Sequence, residues 1–188
     1  MLYDKELIES YEKHKHLFTV SEEIGMPWQT VYWRLKRLGI QVTGDKERWG
    51  SVKDKFAAKG ELLFSSLVLC KNNNDNQFQS KVDFIVNGYF VDVKCSKKNK
   101  SNKKFTSERW MFSLKKQIES ADFYVLFAYD ANGDELLKTF LIPRDLISSI
   151  QTISISCNAK SKWSAFEVEK ETLNDFFYNL PSKKTNKQ

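Results

Sequence analysis

The stretch "KVDFIVNGYFVDVKCSKK", residues 81–98, joins two apolar runs through Asn87-Gly88 and places an aspartate in each run. A two-residue type I′ turn needs positive φ at both central positions, so Asn-Gly between β-formers predicts a hairpin and fixes its register. Val86 then faces Tyr89, Ile85 faces Phe90, Phe84 faces Val91, and Asp83 falls opposite Asp92. Counted from the turn, positions 83 and 92 form a non-hydrogen-bonded pair, with Cβ atoms about 4.5 to 5.5 Å apart. Lys94 follows on the same face, while Val82, Phe84 and Val86 line the other with Tyr89, Val91 and Val93. At an effective dielectric of about 20, two anions roughly 5 Å apart repel by about 3 kcal/mol, which fold stability does not explain.

Three arrangements relieve that repulsion. Both carboxylates can lie on a solvated face, although Ile85 and Phe90 on that face argue against it. One carboxylate can stay protonated, as in coupled acid pairs, although the adjacent Lys94 favours ionisation. A divalent cation between them resolves the conflict and uses it. Oxygen ligands on a hairpin suit Mg²⁺, which keeps several waters and is commonly held by one or two carboxylates plus substrate phosphate.

The 188 residues, 41% hydrophobic, suffice for one medium domain or for a small one beside a medium one. No apolar run of membrane-spanning length occurs, and "MLYDKELIES" does not read as a secretory leader, so the expected location is cytoplasmic, with no membrane partner. Cys70, Cys95 and Cys157 include no CxxC pair, so reduced core cysteines are expected rather than a zinc site or disulfide framework. His14 and His16 stand two apart in a helical stretch, where they diverge, and both read as surface residues.

The net charge of +6 is unevenly placed. Residues 1–50 carry eight basic and eight acidic side chains, residues 111–188 carry ten of each, and residues 51–110 carry twelve against six. The excess surrounds the hairpin. Lys94, Lys97, Lys98, Lys100, Lys103 and Lys104 fall within eleven residues that contain no acid, in a Ser/Asn-rich stretch that reads as a loop. A solvated loop is the plain reading. Beside paired carboxylates, a polyanion that brings its own phosphates is the more economical partner, which makes Lys97, Lys98, Lys100, Lys103 and Lys104 candidate DNA contacts.

Residues 4–40 divide into three short helices. "DKELIESYEKHKH" puts Leu7, Ile8 and Tyr11 on one face, and "TVSEEIG" starts at Thr19 with Glu22 three on, a capping-box pattern. Gly25 ends that helix and Pro27 starts the next. In "WQTVYWRLKRLGI", Val31, Leu35 and Leu38 recur at helical spacing and are expected inward. Gln29, Thr30, Trp33, Arg34 and Arg37 share the opposite face, which is basic and free of acids. This arrangement resembles the helix-turn-helix of DNA-binding proteins, with 28–38 as the recognition helix. Similar three-helix bundles also mediate protein contacts.

A polar linker is expected over 43–50, after a helical domain at 1–42. Ser51 with Asp54 opens a helix whose packing stripe is Val52, Phe56, Gly60, Leu63 and Leu67, leaving Glu61 on an adjacent face. Beyond the hairpin, "RWMFSLKKQIESA" reads as helix and "DFYVLFAYD" as a buried strand. "LKTFLIP" follows as a strand, after a loop with Asn132-Gly133. "RDLISSI" reads as a short helix, "QTISISC" as an edge strand and "KETLNDFFYNL" as a final helix. The second domain thus runs over 51–180, and the basic tail 181–188 is expected to be disordered.

The order helix with Glu61, strand, strand with Asp83, strand with Asp92-Val93-Lys94, helix, strand resembles the PD-(D/E)xK nuclease superfamily over roughly residues 51–145. "AAKGELLF" is similar to that superfamily's first-helix motif, and Val82 stands where the signature has proline. The resemblance implies an α/β restriction-endonuclease-like core, a mixed central sheet flanked by helices, preceded here by the small all-α helix-turn-helix domain. It implies that Asp83, Asp92 and the Val93 carbonyl hold Mg²⁺ or Mn²⁺, that Glu61 completes the metal shell, and that Lys94 orients or deprotonates the attacking water. Gln117 matches a glutamine that some members place near the site.

The combined expectation is a Mg²⁺-dependent endonuclease acting on double-stranded DNA, site-directed in the manner of restriction or homing enzymes. A structure-selective nuclease resembling Holliday-junction resolvases is one alternative, and a DNA-binding regulator that has lost catalysis is another. One site cuts one strand, so double-strand cleavage calls for a homodimer or two sequential nicks.

Overall fold

The computed structural model describes residues 2–40, 42, 51–72, 82–99, 107–114, 120–147, 150–158 and 160–183. The expected linker at 43–50 lies outside the described residues. The chain divides into two compact units, the first reaching Lys55 and the second containing Phe56–Asn72 and the described residues beyond Lys81.

The first unit holds α1 (Leu2–His14), α2 (Leu17–Ile24) and α3 (Trp28–Arg37). Leu7 and Tyr11 of α1, Leu17 and Val20 of α2, and Val31 and Leu35 of α3 close a core with Val42. Gly25, at φ 70°, ends α2 in the left-handed conformation, and Pro27 caps α3. Three expectations are corrected here. The second helix starts at Leu17, before Thr19, because His16 is the cap: the Thr19 N–H donates to its Nδ1 at 3.4 Å. Nor is His14 a bystander, since its Nε2 lies 3.0 Å from Glu23, which also takes a hydrogen bond from Ser10 and an ion pair from Lys13 at 3.2 Å. Leu38, expected inward, is exposed. It lies just past α3, where Gly39 at φ 75° turns the chain and Ile40 packs on the core instead.

The second unit is mixed α/β. Helix α4 (Val52–Leu67), most of which belongs to this unit, begins with the expected capping box: the Asp54 N–H donates to Ser51 Oγ at 3.3 Å and the Ser51 N–H to Asp54 Oδ2 at 3.0 Å. Next come β1 (Lys71–Asn72), β2 (Phe84–Val86), β3 (Tyr89–Lys97), β4 (Arg109–Ser113), β5 (Phe123–Tyr129), β6 (Leu136–Pro143), β7 (Thr152–Ser156), β8 (Glu167–Val168) and α5 (Leu173–Asn179). The central sheet runs β1-β2-β3-β5-β6-β8, mostly antiparallel, with β3 and β5 parallel. Strands β4 and β7 pair separately. No helix among the described residues is long and apolar enough to cross a membrane.

One face of the central sheet buries Val91, Val93, Val125 and Phe127 against Phe64 and Val68 at the α4 end and Leu173 and Phe177 of α5. The other buries Tyr124, Leu126, Ala128, Phe140 and Ile142 under Trp110 and Phe112 of β4 and Ile153 and Ile155 of β7. Trp110 Nε1 donates to the Tyr129 carbonyl at 2.7 Å, and the Met111 N–H donates to Ser96 Oγ at 2.8 Å, tying the small sheet to the large one.

Residues 109–113, expected as helix, are therefore strand β4. Trp110, Phe112 and Leu114 are buried while Met111 and Ser113 are exposed, a period of two that the β7 partner rewards. Val52, placed on the α4 stripe, is 81% exposed in the first turn, and Phe64, outside that stripe, is fully buried. Val82 packs with the Trp110 face rather than with Val91, because the chain bends at 82–83 before β2 begins. Strand β7 is an edge strand, as expected, although its sheet is the two-stranded one rather than the central one.

Candidate metal centre

The Asn87-Gly88 turn has φ of 49° and 84°, and the register is the expected one: Val86 to Tyr89, Ile85 to Phe90, Phe84 to Val91. The turn is held from outside. Asn87 Nδ2 donates to the Leu180 carbonyl at 2.7 Å, and the Lys183 N–H donates to the Asn87 carbonyl at 3.1 Å. Tyr89 Oη donates to the Pro181 carbonyl at 3.0 Å, while Lys183 Nζ meets Asp122 Oδ1 at 2.7 Å. Asp122 Oδ2 in turn accepts from the Phe90 N–H at 3.0 Å. A Cβ on Gly88 would collide with the Lys183 carbonyl, so glycine answers a close approach as well as a positive φ. Residues 181–183 of the expected tail are thus ordered against the hairpin, and 184–188 lie outside the described residues.

Asp83 and Asp92 are both buried, Asp92 completely. Asp83 Oδ2 accepts from the Val93 N–H at 2.9 Å, so its carboxylate reaches across to β3 beside Asp92. Neither oxygen of Asp92 receives an aligned hydrogen bond. Lys94 Nζ stands 2.5 Å from Asp92 Oδ2 as an ion pair and also donates to the Val93 carbonyl at 3.4 Å. Burial pushes the Asp92 carboxyl up to about 7; the Lys94 ammonium opposes that shift and the Asp83 charge adds to it. Lys94 favours ionisation, as expected, but burial acts against it more strongly.

A buried carboxylate without hydrogen bonds costs several kcal/mol unless a partner compensates it. Asp92 offers two oxygens, Asp83 brings a second carboxylate, and all are hard oxygen donors, so the residues present fit Mg²⁺ or Mn²⁺. Glu61 is half-buried on α4. Its neighbour Gly60 packs directly on Cys95 Sγ, and the Glu61 charge, after burial, raises the Cys95 thiol, which stands at about 12. Among the described residues no group of three or more His, Cys, Asp or Glu gathers as a metal cluster. Gln117 lies outside the described residues, as do Lys100, Lys103 and Lys104. Lys97 and Lys98, expected to face phosphates, have internal partners: Lys97 Nζ donates to the Asn132 carbonyl, and Lys98 pairs with Glu108 at 2.7 Å. Glu108 lies ten residues along the chain, beyond the acid-free run that suggested a free cationic loop.

Sequence reasoning also missed Tyr124, read only as core. It is the parallel register partner of Asp92, and burial, then the Asp92 charge, pushes its phenol up to about 12. The parallel pairing of β3 with β5 was the signal that would have found it.

On α3, Gln29, Thr30, Trp33 and Arg37 are exposed and Arg34 is half-buried, all in the first unit. The fold and the paired aspartates define a mixed α/β protein with a candidate oxygen-ligand metal centre. No protein-family model matches the chain, and no curated protein matches it.

Proposed function

We propose that the chain is a Mg²⁺-dependent DNA endonuclease of the PD-(D/E)xK type, with α1–α3 as its helix-turn-helix. The observation that carries this reading is Asp92: a fully buried carboxylate whose oxygens receive no aligned hydrogen bond, beside a second carboxylate and a lysine. Asp83, Asp92 and the Val93 carbonyl would hold the ion. Bound Mg²⁺ supplies a Lewis acid for the phosphate and a more acidic water. Lys94, whose side chain is 22% exposed, orients the attacking water and offsets the charge that develops on the phosphate. The acid-free face of α3 supplies base and phosphate contacts for site choice. A site-directed, restriction or homing role follows from joining such a module to a cutting core.

A second reading, a DNA-binding regulator without catalysis, draws on two features. Lys94 already closes on Asp92, and β4 stands where the superfamily pattern expects a helix. Supercoiled plasmid incubated with the full chain separates the two. The nuclease reading expects nicking with Mg²⁺ or Mn²⁺ and none in excess EDTA, with losses of at least about 100-fold in Asp92→Asn and Lys94→Ala at unchanged circular dichroism. Absence of metal-dependent nicking, or full nicking by Lys94→Ala, would favour the regulator.

A further inference from the structure

Helix α3 presents an aromatic that its own unit does not use. Trp33 is 61% exposed and is not among the residues packed on the core of Leu7, Tyr11, Val20, Val31 and Leu35. Its indole meets the half-buried Tyr32 edge-on at 5.5 Å, and Lys36 Nζ lies 5.5 Å from the Trp33 ring centre and 5.9 Å from that of Tyr32. Gln29, one helical turn before Trp33, and Arg37, one turn after it, are exposed on the same side. The helix "WQTVYWRLKR" contains no acid and ends in Arg34, Lys36 and Arg37. An exposed indole framed by cations suits a surface that is anionic overall and carries a small apolar feature.

In the major groove of DNA that feature is the C5-methyl group of a pyrimidine, the one methyl group among hydrogen-bond donors and acceptors there. Resting on the helix-turn-helix reading above, we propose that Trp33 is a specificity-determining residue that reads a pyrimidine C5-methyl, with Gln29 and Arg37 contacting the neighbouring base edge and phosphate. Indole has one donor, its N–H, and no acceptor, so its discrimination comes from apolar contact. Thymine and 5-methylcytosine both carry the methyl group.

The test starts with selection of bound duplexes from a random DNA library by the full chain in EDTA, where metal-dependent cutting is suppressed. The selected duplex is then resynthesised with uracil at each thymine in turn and with 5-methylcytosine at each cytosine in turn. Loss of one buried methyl corresponds to about a fourfold weakening. The expected result is one position where removing the methyl weakens binding by that factor for the wild type and not for Trp33→Ala, while Trp33→Phe keeps part of the discrimination. A uracil-sensitive thymine identifies thymine as the ligand, and a cytosine whose methylation strengthens binding identifies 5-methylcytosine. A motif insensitive to every methyl, or a sensitivity that survives in Trp33→Ala, overturns the assignment and leaves DNA recognition by α3 standing. Recovery of no motif overturns both, and points to a protein surface as the occupant of this face.

Discussion

Glu23 in the helical unit and Asp92 in the sheet unit are carboxylates in opposite circumstances. Glu23 lies on α2 at the surface, where a hydrogen bond from Ser10, then Lys13 and finally His14 hold its carboxyl below the usual range. Asp92 lies at the centre of β3, and burial drives it the other way. The first arrangement satisfies its charge with the chain's own side chains and ties α1 to α2. The second leaves its charge incompletely compensated, with one lysine and a repelling aspartate as neighbours. A carboxylate that the chain completes serves the fold, and one that it leaves incomplete is a candidate for an outside partner.

The sharpest way to break that contrast is through activity. Asp83→Asn and Asp92→Asn should each lower metal-dependent nicking by at least about 100-fold, whereas Glu23→Gln should leave it unchanged at a temperature where the protein is folded. Equal losses from all three variants would dissolve the distinction.

Stability gives three smaller effects. Gly88→Ala places a side chain at positive φ against the Lys183 carbonyl and should cost about 1 to 2 kcal/mol from the conformation alone, with faster amide exchange in the hairpin than in α1. Unchanged exchange in residues 84–93 would remove the C-terminal segment as a clamp on the aspartates.

Next comes Asp92→Asn without divalent cations. Because the Asp92 carboxyl is raised when folded, the folded chain binds more protons than the unfolded one between roughly pH 4 and 7, so the charge costs stability increasingly as pH rises through that range. The variant should melt above the wild type by roughly 3 °C or more at pH 8, with the gain shrinking toward pH 4. A gain that grows on acidification would contradict the assignment.

The smallest effect belongs to Glu23→Gln. A lowered carboxyl contributes stability at neutral pH that disappears as pH falls through its folded pKa, so the variant should melt slightly below the wild type at pH 7 and match it in acid. A higher melting point at pH 7 would show the Glu23 network to be unfavourable.

The hairpin was legible because Asn-Gly is a local signal: two residues set the turn, and period two carries the register to Phe84 and Val91. The helical trio was legible for a similar reason, with Gly25 and Pro27 as local punctuation. What failed depends on partners distant in sequence. "RWMFS" alternates like a strand, but its reward is β7, some 40 residues later, and the Leu-Lys-Lys-Gln that follows it favours helix. Lys97 and Lys98 looked free because their acceptors, the Asn132 carbonyl and Glu108, lie outside the acid-free run. The burial of Asp92 also depends on such partners, since strands β4 and β7 cover its face of the sheet. Sequence showed two repelling charges; depth of burial made one of them costly.

The measurement that bears most directly on the central claim is thermal melting of the wild type and Asp92→Asn at pH 8 with and without Mn²⁺. An ion held by Asp83 and Asp92 only when folded stabilises by about 2.7 kcal/mol at a hundredfold excess over its Kd. This raises the melting point by roughly 5 to 10 °C. The account predicts such a rise in the wild type and little or none in Asp92→Asn, whose metal-free melting point should already be the higher of the two. No Mn²⁺ effect on the wild type, or an equal rise in both proteins, would contradict the claim that the buried aspartates form a metal centre.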